Sequence, residues 1–74
     1  MTRAEHLKWC KERALEYARR GEAQNAVASM ASDLRKHDDT APSAEMASQL
    51  GTMLLMSGNL RTLKQIVDWV EGFN

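Results

Sequence analysis

The sequence has little that could crosslink a chain of 74 residues. Cys10 is its one cysteine, so no disulfide can form within a monomer. His6 and His37 are the only nitrogen ligands that could join this thiol, too few for a structural zinc site. Since a core of this size adds only a few kcal/mol, tight helix packing and self-association remain as the common means of stabilisation.

Long apolar stretches are also lacking. The longest fully apolar run, residues 53–56, cannot span a bilayer. The first residues are charged and are followed by no apolar segment of the kind found in signal peptides. We therefore expect a protein of the host-cell cytoplasm with no membrane contact, where a lone thiol stays reduced.

Motifs for phosphate or cofactor binding are missing as well. The four glycines stand alone, at positions 21, 51, 58 and 72, so no glycine-rich loop is present to hold a phosphate. The acidic pair after His37 lies in a polar segment closed by Pro42, which is typical of a solvated loop. We expect no cofactor and no metal.

Charge of one sign is not in excess over the chain, but it is unevenly divided. Residues 1–37 carry eight Lys or Arg against five Asp or Glu, and residues 38–74 carry two against five. A balanced chain lacks the net basic face of a general nucleic-acid binder. Ordinary surface charge explains the division, although opposite halves would also favour head-to-tail or antiparallel self-association.

Apolar residues recur at steps of three and four, and no segment alternates as a strand does. The sequence predicts an all-α fold, with four short helices arranged as two stacked antiparallel helical hairpins. The single domain, 1–74, then comprises a hairpin over 2–36, a loop over 37–42 and a hairpin over 43–72. The helices are expected at 2–20, 23–36, 43–57 and 60–71, the first beginning at a capping box formed by Thr2 and Glu5.

The predicted core follows the apolar stripes of these helices. The third helix is apolar almost all round and is expected to be the most buried of the four. The core residues expected are Leu7, Cys10, Ala14, Tyr17, Ala18, Ala23, Ala26, Val27, Met30, Leu34, Met46, Ala47, Leu50, Met53, Leu54, Leu55, Met56, Leu60, Leu63, Val67 and Val70.

The two halves repeat with a period of 37 residues. When Gly21 is set over Gly58, Ala14 falls on Gly51 and Tyr17 on Leu54. Each turn glycine is expected in the left-handed conformation just after the first helix of its half. Periods of this size are typical of stacked helical hairpins.

The halves thereby resemble tetratricopeptide repeats, in which a small residue, a large residue and a turn glycine precede a small residue in the second helix. The resemblance implies stacked hairpins, while a generic four-helix domain remains equally open. Leu63 is large where the family prefers alanine, no proline closes the first unit, and the 37–42 loop lengthens the period. The positions concerned are Ala14, Tyr17, Gly21 and Ala26, then Gly51, Leu54, Gly58 and Leu63.

The whole chain is also similar to small proteins carried by bacteriophages and prophages, a group without an assigned activity. The similar segments are residues 5–11, 28–34, 50–58 and 70–74. This resemblance implies an origin and supplies no mechanism.

One pair of residues could suggest catalysis. His6 and Cys10 are four residues apart on one helix, so the imidazole could activate the thiol as a nucleophile. Cys10 lies on the apolar stripe, however, where a free cysteine is usually a small core residue. No third group orients the pair, so we predict no catalytic residue and no enzyme; a cysteine-dependent enzyme would need an exposed Cys10.

The aromatic residues are the best candidates for contact with a partner. Trp9 falls on the polar side of the first helix beside Arg13, and tryptophan is enriched at interface hot spots. Ile66, Trp69 and Phe73 share one side of the last helix, although Ile66 and Phe73 could instead complete the core. These five residues predict a non-enzymatic protein–protein interaction module, whose partner is a second copy of the chain or another phage or host protein.

The alternative hypothesis is a small dimeric regulatory protein that contacts nucleic acid. The third helix has no Lys or Arg and would make a poor recognition helix, so this alternative depends on the first two helices. The basic residues concerned are Arg13, Arg19, Arg20, Arg35 and Lys36.

Overall fold

A computed structural model describes residues 2–73, which form four helices and no strand. The helices are α1 (Arg3–Arg19), α2 (Ala23–Leu34), α3 (Ala41–Ser57) and α4 (Leu63–Glu71). The all-α prediction is therefore confirmed. None of the described helices combines the length and the apolar character needed to cross a membrane.

The start of α1 agrees with the sequence pattern. The Thr2 hydroxyl accepts from the Glu5 amide at 3.1 Å, and the Glu5 carboxylate accepts from the Thr2 amide at 3.0 Å. Hydrogen bonds from the backbone amide and the side chain of Thr2 to the Glu5 carboxylate lower the pKa of Glu5. The predicted capping box is present.

Both turn glycines adopt the predicted left-handed conformation, with φ of +75° at Gly21 and +81° at Gly58. After α1, the Glu22 amide donates to the Tyr17 carbonyl at 3.0 Å. After α3, the Asn59 amide donates to the Leu54 carbonyl at 2.8 Å. The two halves thus end their first helices with the same hydrogen-bond pattern, which satisfies carbonyls that the helix leaves unpaired.

The first residues of α3 and α4 differ from the prediction, whereas their last residues agree with it. Helix α3 begins two residues earlier than expected, at Ala41, so Pro42 lies in its first turn, where proline is well tolerated, and not in the preceding loop. Helix α4 begins at Leu63 rather than at residue 60, because Thr62 and Gln65 form a second capping box. The spacing of these two residues is the sequence signal that was missed.

The helices pack in the order α3, α2, α1, α4. Helices α1 and α2 form a close hairpin, α3 packs on α2, and α4 packs mainly on α1. No Cα atom of α3 lies within 8 Å of one in α4. The second hairpin is therefore open, and its two helices are separated by a groove.

The core lies between α1 and α2 and extends to α4. The prediction that α3 is the most buried helix is wrong, because its buried residues are the small ones, Ala44, Ala47 and Gly51. Leu63 is also exposed, at the first position of α4. The fully or nearly fully buried apolar residues are Leu7, Cys10, Ala14, Ala18, Ala26, Val27, Met30, Ala31, Leu34, Ala44, Ala47, Leu60, Ile66 and Val70.

Small residues let α3 approach α2 closely. A Cβ atom added at Gly51 would lie 2.5 Å from Val27 Cγ1 and 3.1 Å from Trp69 Cζ2, both too short for unstrained packing. Gly51 therefore serves as the contact point of α3 with α2 and with the ring of Trp69.

Candidate functional site

Trp9 lies over a cluster of charged groups between α1 and the end of α2. The Arg13 guanidinium lies 4.8 Å and the Lys36 ammonium 5.2 Å from the centre of the Trp9 ring, within cation–π range. The His6 ring stacks on the same indole at 5.6 Å. Trp9 is consequently half-buried, and its indole is already in contact with three side chains of its own chain.

The carboxylate at the centre of this cluster is Asp33, which is only 1% exposed. Arg13 Nε donates to one oxygen at 2.7 Å, and Lys36 Nζ lies 3.1 Å from the other. The Ser29 hydroxyl donates to the carboxylate at 3.3 Å. A buried carboxylate requires such partners, so Arg13 has a structural role here in addition to any contact it makes with a partner protein.

The thiol of Cys10 and the His6 imidazole do meet, with Sγ 3.5 Å from Nε2. His6 is buried, however, and Nε2 donates to the Asp33 carbonyl at 2.9 Å. Cys10 is fully buried, and burial together with the nearby Asp33 charge raises the pKa of its thiol to about 11. A nucleophilic cysteine needs the opposite properties, an exposed side chain and a lowered pKa.

Of the three residues predicted on α4, one belongs to the core. Ile66 is 2% exposed, so it completes the core and cannot form part of a contact surface. Trp69 and Phe73 are half-buried, and their rings meet edge to face with centres 5.1 Å apart. These two aromatic residues remain partly accessible to solvent.

Three of the five basic residues of the alternative hypothesis have partners within the chain. Arg13 and Lys36 are bound to Asp33, as described above. The Arg20 guanidinium lies 4.8 Å from the Tyr17 ring centre and 3.6 Å from the Glu22 carboxylate. Three of the five cations thus interact with groups of their own chain, which leaves less basic surface for phosphate.

Four of the five large hydrophobic residues that are exposed in the described part of the chain lie on α3, and this exposure was not predicted. Met46, Leu50 and Met53, which we name the α3 stripe, are 51%, 45% and 65% exposed and lie on one side of the helix. Met56 extends the exposed apolar surface at the end of the helix, at 84%. The signal in the sequence was the spacing of Ala44, Ala47 and Gly51, which marks the buried side and leaves the large residues outside.

A groove of about 470 Å³ separates this stripe from α4. We name it the α3–α4 groove. Its charged lining residue is Asp68, which accepts from Lys64 at 2.7 Å; this pairing raises the pKa of Lys64. The groove is lined by Ser43, Met46, Leu50, Asp68, Trp69, Gly72 and Phe73.

Within residues 2–73, no three His, Cys, Asp or Glu side chains lie together in a group that could hold a metal ion. The candidate functional site is the α3 stripe together with the α3–α4 groove, formed by apolar and aromatic side chains.

Comparisons with protein-family models, with curated proteins and with solved structures found no match for this chain.

Proposed function

We propose that this chain is a non-enzymatic protein–protein interaction module of phage or prophage origin. Its binding surface is the α3 stripe together with the α3–α4 groove. The partner is a second copy of the chain or another phage or host protein, and the protein acts in the cytoplasm of the host cell.

The observation that carries this proposal is the exposure of the α3 stripe. Three large apolar side chains lie next to one another on a helix whose only charged residue is Glu45. Contiguous apolar surface of this kind is rare on a monomer and tends to mark a contact site. The aromatic rings of Trp69 and Phe73 across the groove provide the rigid side chains that often dominate binding energy.

The methionines suit a contact surface that must adapt to its partner. Met46 and Met53 have unbranched, flexible side chains with polarizable sulfur atoms, which fit irregular apolar surfaces. Leu50 between them supplies a side chain with fewer rotamers. Each of these side chains is about half exposed, so its burial against a partner would contribute roughly 0.7–2 kcal/mol, about half the value for full burial, before the losses of entropy on binding.

The test is retention of a partner by a tagged copy of the full chain in the cells that carry it. We expect the parent to retain an untagged copy or another protein, and Leu50→Glu to lose it. Thr52→Glu is the matched control, since Thr52 is an exposed residue of the same helix outside the stripe. Equal retention by the parent and by Leu50→Glu would refute the proposed surface.

A further inference from the structure

We infer that the occupant of the α3 stripe is a second copy of this chain, with two α3 helices packed antiparallel across a twofold axis close to Leu50. This inference rests on the proposed function, because it names the partner of the same surface. Leu50 is the middle residue of the stripe, so it is the position at which two identical stripes would cross.

The charge of the surface favours another apolar, nearly neutral helix as the occupant. Helix α3 carries one charged residue, Glu45, and no Lys or Arg. A bilayer surface with anionic lipids would require basic residues beside the apolar face. For a strongly basic helix the groove itself offers one carboxylate, Asp68, which is already paired with Lys64. The α3 helix of a second copy has the required character.

The shape of the surface also suits contact between two copies. A twofold interface needs a patch that is complementary to itself: a residue that contacts a second residue across the interface is matched by the reciprocal contact, and only residues at the axis meet their own counterpart. Here a ridge, the α3 stripe, lies directly beside a depression, the α3–α4 groove. In an antiparallel pair the ridge of each copy can enter the groove of the other.

The charges at the two ends of α3 are opposite. Asp38 and Asp39 are exposed just before its first residue, and Arg61 is exposed just after its last turn. In an antiparallel pair that crosses at Leu50, Arg61 of each copy lies near Asp39 of the other. A parallel pair would instead bring like charges together, so these charges select the antiparallel orientation.

The first experiment is sedimentation equilibrium on the full chain at micromolar concentrations. We expect a dimer mass for the parent and for Thr52→Glu, and an increase of about tenfold or more in the dissociation constant for Leu50→Glu and Met53→Glu. Circular dichroism on each variant checks that the helices persist; Met53, the more exposed of the two positions, gives a second variant if Leu50→Glu unfolds.

The second experiment locates the twofold axis. Under mild oxidation, Leu50→Cys is expected to form a disulfide-linked dimer, because Cα atoms must lie within about 7 Å for this bond. Thr52→Cys, on another side of α3, should crosslink far less. Cys10 is fully buried and does not compete in the folded protein. A dimeric parent in which Thr52→Cys crosslinks as readily as Leu50→Cys overturns the twofold arrangement.

The third experiment tests the orientation. Arg61→Asp should weaken the dimer, and the double variant Arg61→Asp with Asp39→Arg should restore it. If the double variant is no stronger than Arg61→Asp alone, the antiparallel orientation is wrong.

Failure of this inference differs from failure of the proposed function. A parent with monomer mass at every concentration overturns the second copy as occupant. The proposed function is then supported if Thr52→Glu retains another protein that Leu50→Glu loses, and it is refuted if the two variants retain the same proteins.

Discussion

At the level of a single residue, the buried carboxylate of Asp33 between α1 and α2 determines the roles of the side chains around it. This carboxylate would be costly to bury alone, and it is held by Arg13, Lys36 and Ser29. Both cations are about half exposed, and they shield the carboxylate from solvent together with Trp9. The indole that the sequence assigns to a partner surface thus has a role within the fold.

Cys10 gives the stability of the protein a distinct dependence on pH. The pKa of its thiol is raised from 9.0 to about 11 in the folded chain, so the native state holds this proton more tightly than the unfolded state does. Stability from the neutral thiol is complete below pH 9 and is lost as the pH rises towards 11. We expect the parent to lose on the order of 2 kcal/mol through Cys10 over this range.

The measurement is urea unfolding of the parent and of Cys10→Ala at several pH values. All other groups of the chain are common to the two proteins, so the difference between the two isolates the thiol. The variant is less stable than the parent at neutral pH because it leaves a small cavity. The difference should shrink above pH 9, and a constant difference up to pH 11 would contradict the expected titration.

The turn glycines allow a direct test of backbone conformation. Valine at Gly21 or Gly58 must adopt a positive φ that β-branched residues avoid, so each substitution should lower the free energy of unfolding by about 1–3 kcal/mol. At Gly21 no atom lies within 4 Å of an added Cβ. The loss of stability in Gly21→Val therefore reports the strained backbone conformation alone.

Gly72→Val is the control for these two variants. Gly72 also follows a helix but has φ of −71°, which valine adopts without strain. Thermal and chemical unfolding of all three variants should separate Gly72→Val from the other two. A loss at Gly21 no larger than at Gly72 would mean that the left-handed turn does not contribute as argued.

At the level of the element, periodicity predicted α1 and α2 well and α3 poorly. The stripes of α1 and α2 are interrupted by polar residues, so their apolar side is defined. Helix α3 is apolar on nearly every side, and periodicity then contains no information about which side is buried. Its position depends on the small residues Ala44, Ala47 and Gly51, which permit close approach to α2.

This packing leads to a prediction for Gly51. Alanine is the better helix former by about 0.8–1.0 kcal/mol, but its Cβ would overlap Val27, and overpacking typically costs about 1–3 kcal/mol. The steric effect should dominate, so Gly51→Ala is expected to be less stable than the parent in chemical denaturation.

Thr52→Ala provides the comparison on the same helix. Thr52 is exposed, so alanine there should be neutral or slightly stabilising through helix propensity alone. If Gly51→Ala were stabilised as much as Thr52→Ala, α3 would have to be further from α2 than the structure shows.

At the level of the whole molecule, the sequence predicted part of the candidate site. Trp69 and Phe73 do line the groove, because aromatic residues beyond the core stripe of α4 remain accessible. Ile66 and Trp9 do not belong to this surface. Their surroundings depend on contacts between residues distant in the chain, such as that of His6 with Asp33, which no local pattern contains.

The repeat has the same turns in both halves but different packing, and this difference can be tested by separating the halves. In residues 1–37, α1 and α2 pack directly on each other; in residues 38–74, α3 and α4 share no close backbone contact. A helix without packing is marginal at these lengths. We therefore expect the peptide 38–74 to be largely unfolded in dilute solution and the peptide 1–37 to retain more helix.

Far-ultraviolet circular dichroism on the two peptides, on their equimolar mixture and on the full chain measures this difference. The mixture should show more helix than the sum of the separate peptides, because α3 packs on α2 and α4 packs on α1 across the cut. The full chain should unfold in one cooperative transition for the same reason. A peptide 38–74 that is helical and melts cooperatively as a monomer would show that the second half is a self-sufficient hairpin, in which α3 and α4 close on each other and the groove between them is absent.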